Sequence, residues 1–70
     1  MTRTYYTLLT RDNAAAPWQI AFGDYSRNVV EMERADMVRH HETRGNLRII
    51  ATGETQPEID AAVLKLNVGQ

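Results

Sequence analysis

Residues 18–26 read WQIAFGDYS, and this stretch marks the passage from a strand to a helix. Its tryptophan, isoleucine and phenylalanine occupy every second position, a spacing that places all three side chains on one face of a strand. The Gly-Asp pair that follows favours a turn. Ser26, or Asp24 if the helix begins earlier, then supplies an N-cap side chain that accepts a hydrogen bond from a free backbone N–H. The stretch therefore predicts a strand, a turn and the start of a helix.

The regions on either side predict two more strands and complete the first helix. Residues 5–10 are rich in tyrosine and threonine and contain no Gly or Pro, which is typical of a strand. Residues 27–44 also lack Gly and Pro and precede Gly45, so they predict a helix with a glycine C-cap. The alternating apolar residues of 47–52 predict a third strand.

The last predicted element is an amphipathic helix that begins after Thr55. Thr55 and Glu58 form a capping box, in which the threonine side chain accepts from the Glu58 N–H and the glutamate side chain reaches back. Apolar residues then recur with the i, i+3, i+4, i+7 spacing of one helix face, at Ile59, Ala62, Val63 and Leu66. The pattern predicts a helix that ends near Leu66 or Asn67.

The element order β-β-α-β-α predicts one small α+β domain over residues 1–70. A right-handed crossover between the second and third strands places the first helix on one face of a three-stranded sheet. Because so short a chain has little apolar material for a second face, both helices are expected to pack on that same face. The predicted core consists of Leu8, Trp18, Ile20, Phe22, Val30, Met37, Leu47, Ile49, Ile59, Val63 and Leu66.

The composition excludes several classes of protein. The chain has 70 residues, a net charge of -1 and no cysteine, which excludes a disulfide-bonded miniprotein, a cysteine zinc module, a thiol enzyme and a strongly basic nucleic-acid binder. The longest apolar run covers only residues 61–64, which is too short to span a membrane. The first residues lack the apolar segment of a signal peptide, so a cytoplasmic location is expected.

No arrangement of side chains predicts catalysis, a cofactor or a metal ion. Ser26 is the only serine, and about four helical turns separate it from His40 and His41, so no nucleophile–histidine pair forms within one helix. The two histidines are adjacent and point about 100° apart on a helix, which does not bring them to one metal ion. The remaining enzyme hypothesis is a cleft formed by Asp24, Tyr25 and His41, although a pocket of roughly 300 Å³ is hard to build inside so small a core.

The small size instead favours a function in binding another protein. Chains below roughly 70–80 residues usually gain stability from disulfides, a metal or association with another chain. With both helices on one face, the other face of the sheet presents Gln19, Ile50 and one of Tyr5 and Tyr6. This face is the predicted surface for a protein partner or for a second copy in a homodimer.

A basic edge formed by Arg39, Arg44 and Arg48 is the second predicted surface. It adds charged contacts to the protein interface, and it is also the basis of an alternative function, a small nucleic-acid-binding or regulatory module. Residues 39–48 have a local net charge of +2, but residues 27–44 as a whole are neutral. Nucleic-acid-binding domains usually present a broad basic face. Protein binding is therefore favoured over nucleic-acid binding.

Two segments, residues 18–30 (WQIAFGDYSRNVV) and 49–63 (IIATGETQPEIDAAV), resemble short uncharacterised proteins encoded by tailed phages and prophages. The resemblance covers residues 5–67, which is nearly the whole chain. It implies an intracellular accessory protein that acts by stoichiometric binding to a host or phage protein, including components of host defence. That family has no assigned activity, so the resemblance carries over no functional residue.

Overall fold

The computed structural model describes residues 3–40 and 46–69, which form three strands and two helices. In chain order these elements are β1 (Thr4–Thr10), β2 (Gln19–Asp24), α1 (Arg27–Arg39), β3 (Leu47–Gly53) and α2 (Gln56–Val68). The α+β class and the order β-β-α-β-α are confirmed. Neither helix is long and apolar enough to cross a membrane.

β1 is the central strand of the sheet, whose order is β2-β1-β3. It pairs antiparallel with both neighbours, so β2 and β3 run in the same direction and form the two edges. α1 connects β2 to β3 and contacts all three strands on its way. The fold therefore consists of a β1–β2 hairpin extended by β3 on the other side of β1.

Both faces of β1 are buried, and the two helices lie on opposite faces of the sheet. Leu8 and Leu9 are both 0% exposed, although consecutive strand residues point to opposite faces. Leu8 packs in a cluster with Val30 of α1, whereas Thr7, on the other face, lines a hollow together with Ile59 of α2. The prediction that both helices pack on one face is wrong, because the Leu8-Leu9 pair supplies apolar surface on both sides of the sheet.

A β-bulge in β2 separates two apolar side chains that the sequence pattern places together. In the β1–β2 pairing Leu8 faces Phe22 and Leu9 faces Ile20, so Ala21 has no partner across the ladder. The extra residue shifts the alternation by one position. Phe22 packs with the α1 cluster, while Ile20 lies on the α2 side and is 48% exposed. The predictions that Ile20 belongs to the core and shares a face with Phe22 are therefore wrong.

The other predicted core residues are buried or half-buried. Those that are buried are Leu8, Trp18, Val30, Leu47 and Ile59. Those that are half-buried are Phe22, Met37, Ile49, Val63 and Leu66. Two further residues were not predicted in the core. Leu9 is fully buried, and Val38 of α1 packs against the cluster around Leu8.

α1 begins where the sequence indicates. Ser26 is its N-cap residue, but the Ser26 hydroxyl makes no capping hydrogen bond with any residue described here. Instead the Asp24 carboxylate accepts a hydrogen bond from the Ser26 N–H at 2.8 Å. The helix ends at Arg39, with His40 as its C-cap. The predicted continuation to Arg44 and its glycine cap lies outside the described residues.

α2 begins with the predicted cap. The Thr55 hydroxyl accepts a hydrogen bond from the Glu58 N–H at 3.4 Å, and the Glu58 carboxylate reaches back to Gly53, where an added Cβ would collide with it. The helix extends to Val68, slightly beyond the predicted end. Its predicted inner residues face the sheet, and this placement puts α2 beside the edge strand β3.

Candidate protein-binding groove

A groove of about 550 Å³ lies between β3 and α2 and opens to the surface. Its described lining consists of Arg11, Trp18, Arg48, Ile50, Ala51, Thr52, Ala62, Lys65, Leu66 and Gly69. From the sequence, a pocket of roughly 300 Å³ is expected to be hard to build inside so small a core, and the volume of this groove is larger than that. The difference arises because the groove lies at the surface between two elements and not inside the core.

The groove carries positive charge over an apolar floor. Arg11, Arg48 and Lys65 lie along it, and no carboxylate belongs to the part of the lining that the structure describes. Trp18 and Leu66 supply apolar surface in the same lining. The arrangement suits a ligand that combines anionic groups with apolar ones, because both parts find a partner in the same groove.

Trp18 is held in place by the end of α2. The side-chain oxygen of Asn67 accepts a hydrogen bond from the backbone N–H of Trp18 at 2.7 Å. The side-chain NH2 group of Asn67 donates to the backbone carbonyl of Trp18 at 3.3 Å. Trp18 as a whole residue is 7% exposed. These contacts attach the last turn of α2 to the residue that precedes β2, so one end of the groove has a fixed floor.

Arg11 is oriented by contacts on three sides. Its guanidinium lies 4.2 Å from the centre of the Trp18 ring, a cation–π distance. Its Nε donates to the side-chain oxygen of Asn46 at 3.2 Å, and Nη1 donates to the Ala14 carbonyl at 3.4 Å. Because these contacts restrict the side chain before any ligand arrives, an anion bound to Arg11 costs less conformational entropy than one bound to a free arginine.

The strand side of the groove is the open edge of the sheet. β3 pairs only with β1 among the described strands, so alternate residues direct backbone N–H and C=O groups away from the sheet. Ile50 lies opposite Thr7 on the α2 side, whereas Ala51 lies opposite Tyr6 on the α1 side. Both residues line the groove, which therefore reaches around the edge of β3.

The residues predicted for one docking face, which are Gln19, Ile50 and one of Tyr5 and Tyr6, lie on two faces of the sheet. Tyr5 and Thr7 are two residues apart in β1 and therefore point to the same face, which is the α2 side. Ile50 pairs with Thr7 and so lies on that side as well. Tyr6 packs against the α1 cluster, and Gln19, which pairs with Thr10, lies on that same side. A single open sheet face is therefore absent from the described part of the chain, because a helix packs on each side.

The predicted basic edge is divided in the same way. Arg48 lines the groove beside α2. Arg39 lies at the end of α1, is exposed, and has a guanidinium nitrogen 3.5 Å from the Asp36 carboxylate. Arg44 lies outside the described residues. Arg39 and Arg48 thus belong to elements associated with different faces of the sheet.

Sequence reasoning identified Arg48 and Ile50 of this groove but missed Arg11 and Lys65. Arg11 follows β1 in a loop, where a single arginine has no periodic signal. Lys65 had a usable signal, because it directly precedes Leu66 of the inner helix face. A lysine at the margin of an apolar stripe lies at the boundary between the helix and the sheet it covers.

Two residues of the enzyme hypothesis, Asp24 and Tyr25, lie at the end of β2 that is farther from Trp18. The Tyr25 ring packs edge-on against Tyr5, with centroids 5.0 Å apart, and the Arg3 guanidinium lies 4.1 Å from the Tyr25 centroid. The Tyr5 ring in turn covers Gly23, where a Cβ would collide with it. His41 lies outside the described residues. Across 3–40 and 46–69, no three His, Asp or Glu residues are grouped so that they could hold a metal ion.

The Glu54 carboxylate near the Tyr25 hydroxyl favours the protonated form and raises the pKa of Tyr25 above its usual 10.0. This attraction holds while Tyr25 is protonated and is lost as the pH rises through the raised pKa. Glu54→Gln is therefore expected to lower the pKa of Tyr25 towards 10.0. Ultraviolet absorbance of tyrosinate measures the titration, and Tyr25→Phe identifies the transition by removing it. Identical titration curves for the parent and Glu54→Gln would contradict the assignment.

Comparisons with protein-family models, with curated proteins and with solved structures find no match to this chain. The groove must therefore be interpreted from its own chemistry.

Proposed function

We propose that this protein is a non-catalytic binding domain that holds an extended, acidic segment of a partner protein along β3. The observation that carries the proposal is the groove, whose described lining combines three cations with apolar side chains and contains no carboxylate. The resemblance to phage and prophage proteins implies that the partner is a host or phage protein. The protein is expected to act by binding alone, without catalysing a reaction. An inhibitor of a host or defence complex works in this way, because it blocks the site to which it binds.

The charge of the groove supports an acidic partner. The chain as a whole has a net charge of -1, so three cations in a groove whose described lining contains no carboxylate are a local departure from the average surface. Such a patch attracts a segment that carries Asp or Glu and repels a basic one. Arg11 and Arg48 can each bind a carboxylate in the bidentate geometry that guanidinium permits.

The open edge of β3 supports an extended segment. A peptide that lies beside an edge strand forms main-chain hydrogen bonds with it, while its alternate side chains occupy the adjoining groove. β3 has 7 residues, which gives a bound strand enough length for several such bonds. α2 lies beside this edge and supplies the second wall, with Ala62 and Leu66 as small and large apolar contacts.

The same features support protein over nucleic acid. A nucleic acid gains most of its affinity from many phosphate contacts distributed over a basic surface. Here three cations line the groove, other arginines such as Arg3 and Arg39 lie elsewhere on the fold, and α2 carries Glu58 and Asp60 at its start. A phosphate backbone that ran along the helix would meet those carboxylates, whereas a short peptide needs only the groove itself.

Binding is measurable with the protein's own fluorescence. Trp18 is the only tryptophan and lies in the groove, so occupancy is expected to change its emission. The probe is a seven-residue peptide, the length of β3, with alternating glutamate and valine. We expect a saturable change that weakens with added salt, and none with the peptide in which lysine replaces glutamate. An absence of any saturable response to the acidic peptide would overturn the proposal.

Two arginines provide a matched pair of variants. Arg48→Glu is expected to weaken peptide binding at least about tenfold, or about 1.4 kcal/mol, because it places an anion in the groove. Arg39→Glu makes the same change on an exposed arginine of α1 and is expected to leave binding unchanged.

Alternate N-methylation of the peptide tests the strand pairing, because it removes main-chain donors. Equal losses of peptide affinity in both arginine variants would refute binding in the groove. If a single-stranded DNA oligonucleotide binds, and its binding depends on both arginines, the nucleic-acid alternative is supported instead.

A further inference from the structure

A smaller hollow, of about 150 Å³, lies between the β1–β2 hairpin and the start of α2. Thr7 and Gly23, which pair across the hairpin, form part of its strand side, and Gln56 and Ile59 form its helix side. Its described lining shares no residue with the groove beside β3. The hollow is therefore a separate site, and the proposed function does not use it.

The side chain of Thr7 points into this hollow and carries a hydroxyl without a hydrogen bond. Thr7 is 1% exposed, and its Oγ1 has no hydrogen-bond partner among the residues that the structure describes. A buried hydroxyl of this kind is costly, because it has lost its hydrogen bonds to water and gained none in return. Thr7 lines the hollow from the central strand. A molecule that enters the hollow can therefore supply the missing hydrogen bond, with little competition from water.

The walls of the hollow offer apolar and aromatic surface. Ile20 is 48% exposed although α2 lies on its side of the sheet, and the hollow is the space beside it. The Tyr5 ring packs edge-on against Tyr25, with centroids 5.0 Å apart, and covers Gly23, where a Cβ would collide with it. These contacts hold the Tyr5 ring in place, so it presents a fixed aromatic surface to a second ring.

The charge and the size of the hollow restrict its ligand. None of the described lining residues is an acid, a lysine, an arginine or a histidine, so an ion that entered would lose its water without gaining an opposite charge. An apolar cavity of about 150 Å³ is large enough to bind benzene. The fitting ligand is therefore neutral, has the size of one ring, and is apolar except for one hydrogen-bonding group.

We propose that this hollow binds a phenol, with the ring against Tyr5, Ile20 and Ile59 and the phenolic hydroxyl bonded to Oγ1 of Thr7. A phenolic hydroxyl both donates and accepts, so it can satisfy the threonine hydroxyl in either direction. A free phenol and the tyrosine side chain of a partner protein share this chemistry. The site is independent of the groove beside β3, and an acidic peptide and a phenol are expected to bind at the same time.

Methyl NMR of the full chain, with phenol as the probe, tests the proposal. A bound aromatic ring shifts the resonances of nearby methyl groups, so phenol is expected to shift those of Ile20 and Ile59 in a saturable way. The expected dissociation constant is on the order of 1 mM, because the ligand has few atoms and the hollow is open on one side. Ile49 is the internal control, since it packs with the cluster on the α1 side. No saturable shift at Ile20 and Ile59, or an equal shift at Ile49, would overturn the proposal.

Benzoate tests the preference for a neutral ligand. It has the same ring with a carboxylate in place of the hydroxyl, and it is expected to leave the Ile20 and Ile59 resonances unshifted at concentrations at which phenol saturates them. Binding of benzoate as tight as that of phenol would contradict the assignment of a neutral ligand.

Thr7→Val separates the hydrogen bond from the shape of the hollow. Valine has the shape of threonine with a methyl group in place of the hydroxyl, so the variant is expected to weaken phenol binding about threefold to tenfold and to leave toluene binding unchanged. Thr10→Val is the matched control, because it makes the same replacement on the α1 side of β1 and is expected to change neither affinity. Equal phenol affinity in Thr7→Val and in the parent would refute the bond to Thr7. The variant also loses an unpartnered hydroxyl and is expected to unfold at a temperature no lower than the parent, so the loss of phenol binding is not a loss of the fold.

Two capped tripeptides, Gly-Tyr-Gly and Gly-Phe-Gly, distinguish the two sources of the phenol. They differ only in the phenolic hydroxyl. Ile20 and Ile59 shifts from the tyrosine peptide, at an affinity equal to or above that of phenol, would identify a tyrosine of a partner protein as the ligand. Binding of phenol without binding of either peptide would identify a free small molecule. Tighter binding of the phenylalanine peptide than of the tyrosine peptide would contradict the role proposed for Thr7.

Discussion

Replacement of Leu9 by alanine is expected to lower the free energy of unfolding by about 2–5 kcal/mol. Leu9 is 0% exposed and lies in the central strand, on the face that α2 covers. A chain of 70 residues has a total stability of about 3.5–10 kcal/mol. The loss is therefore a large fraction of the whole, and urea unfolding followed by circular dichroism is expected to show a much lower midpoint with a similar slope.

Ile20→Ala is the matched control for Leu9→Ala. Ile20 pairs with Leu9 across the ladder, has a side chain of the same composition, and is 48% exposed. Its truncation is expected to cost less than about 1 kcal/mol, because much of the side chain remains in water in the folded state. A larger loss for Ile20→Ala than for Leu9→Ala would mean that the alternation in β2 is unbroken and that the two-faced arrangement is wrong.

The order of elements was predictable because its signals are local. Alternation in residues 18–23, the absence of Gly and Pro after Ser26, and the Thr55–Glu58 cap each involve residues close together in the chain. The cap of α2 is confirmed by the Glu58 hydrogen bond to Thr55. Signals of this kind specify an element without reference to what packs against it.

The placement of the helices was not predictable by the same means. The alternation rule assumes one residue per ladder position, and Ala21 adds an extra one. Nothing in the type of that residue distinguishes it from a regular strand alanine. The adjacent leucines of β1 did contain information, because two consecutive apolar residues in a strand indicate burial on both faces. That reading would have placed α2 opposite α1.

The groove depends on contacts between residues far apart in sequence. Arg11 bonds Asn46 across 35 positions, and Trp18 bonds Asn67 across 49. Each of these residues has an ordinary local environment, and only the fold brings Arg11 against Trp18 and Trp18 against the end of α2. The cationic character of the groove is therefore a property of tertiary structure. The basic edge predicted from sequence proximity, by contrast, does not form one surface among the described residues.

Deletion of Ala51 is expected to abolish the cooperative unfolding transition. β3 pairs with β1 without interruption from Gly53 to Leu47, and a one-residue slip in a regular ladder moves every shifted side chain to the other face. If the slip moves the first half of β3, Leu47 and Ile49 leave the α1 core at a cost of about 1.5–3 kcal/mol each. If the slip moves the second half of β3, the start of α2 must shift with it, although the far end of α2 is held by the hydrogen bond between Asn67 and Trp18.

Deletion of Ala21 is the matched control and is expected to leave a cooperative transition. Both deletions remove one exposed alanine from an edge strand, but Ala21 is the residue without a partner. Its removal converts the bulge into a regular ladder in which Leu8 still faces Phe22 and Leu9 still faces Ile20. Every side chain of β2 can thus keep its face, and the cost is limited to a change in local twist.

Thermal unfolding of the two deletion variants, followed by circular dichroism, distinguishes the explanations. A cooperative transition for the Ala21 deletion and none for the Ala51 deletion is the expected pair of results. If both deletions abolish the cooperative transition, the bulge is needed for the path of the β2 backbone and not only for setting which side chains point to each face. Tolerance of the Ala51 deletion would contradict the register of β3, and with it the side of the sheet on which Arg48 and Ile50 meet α2.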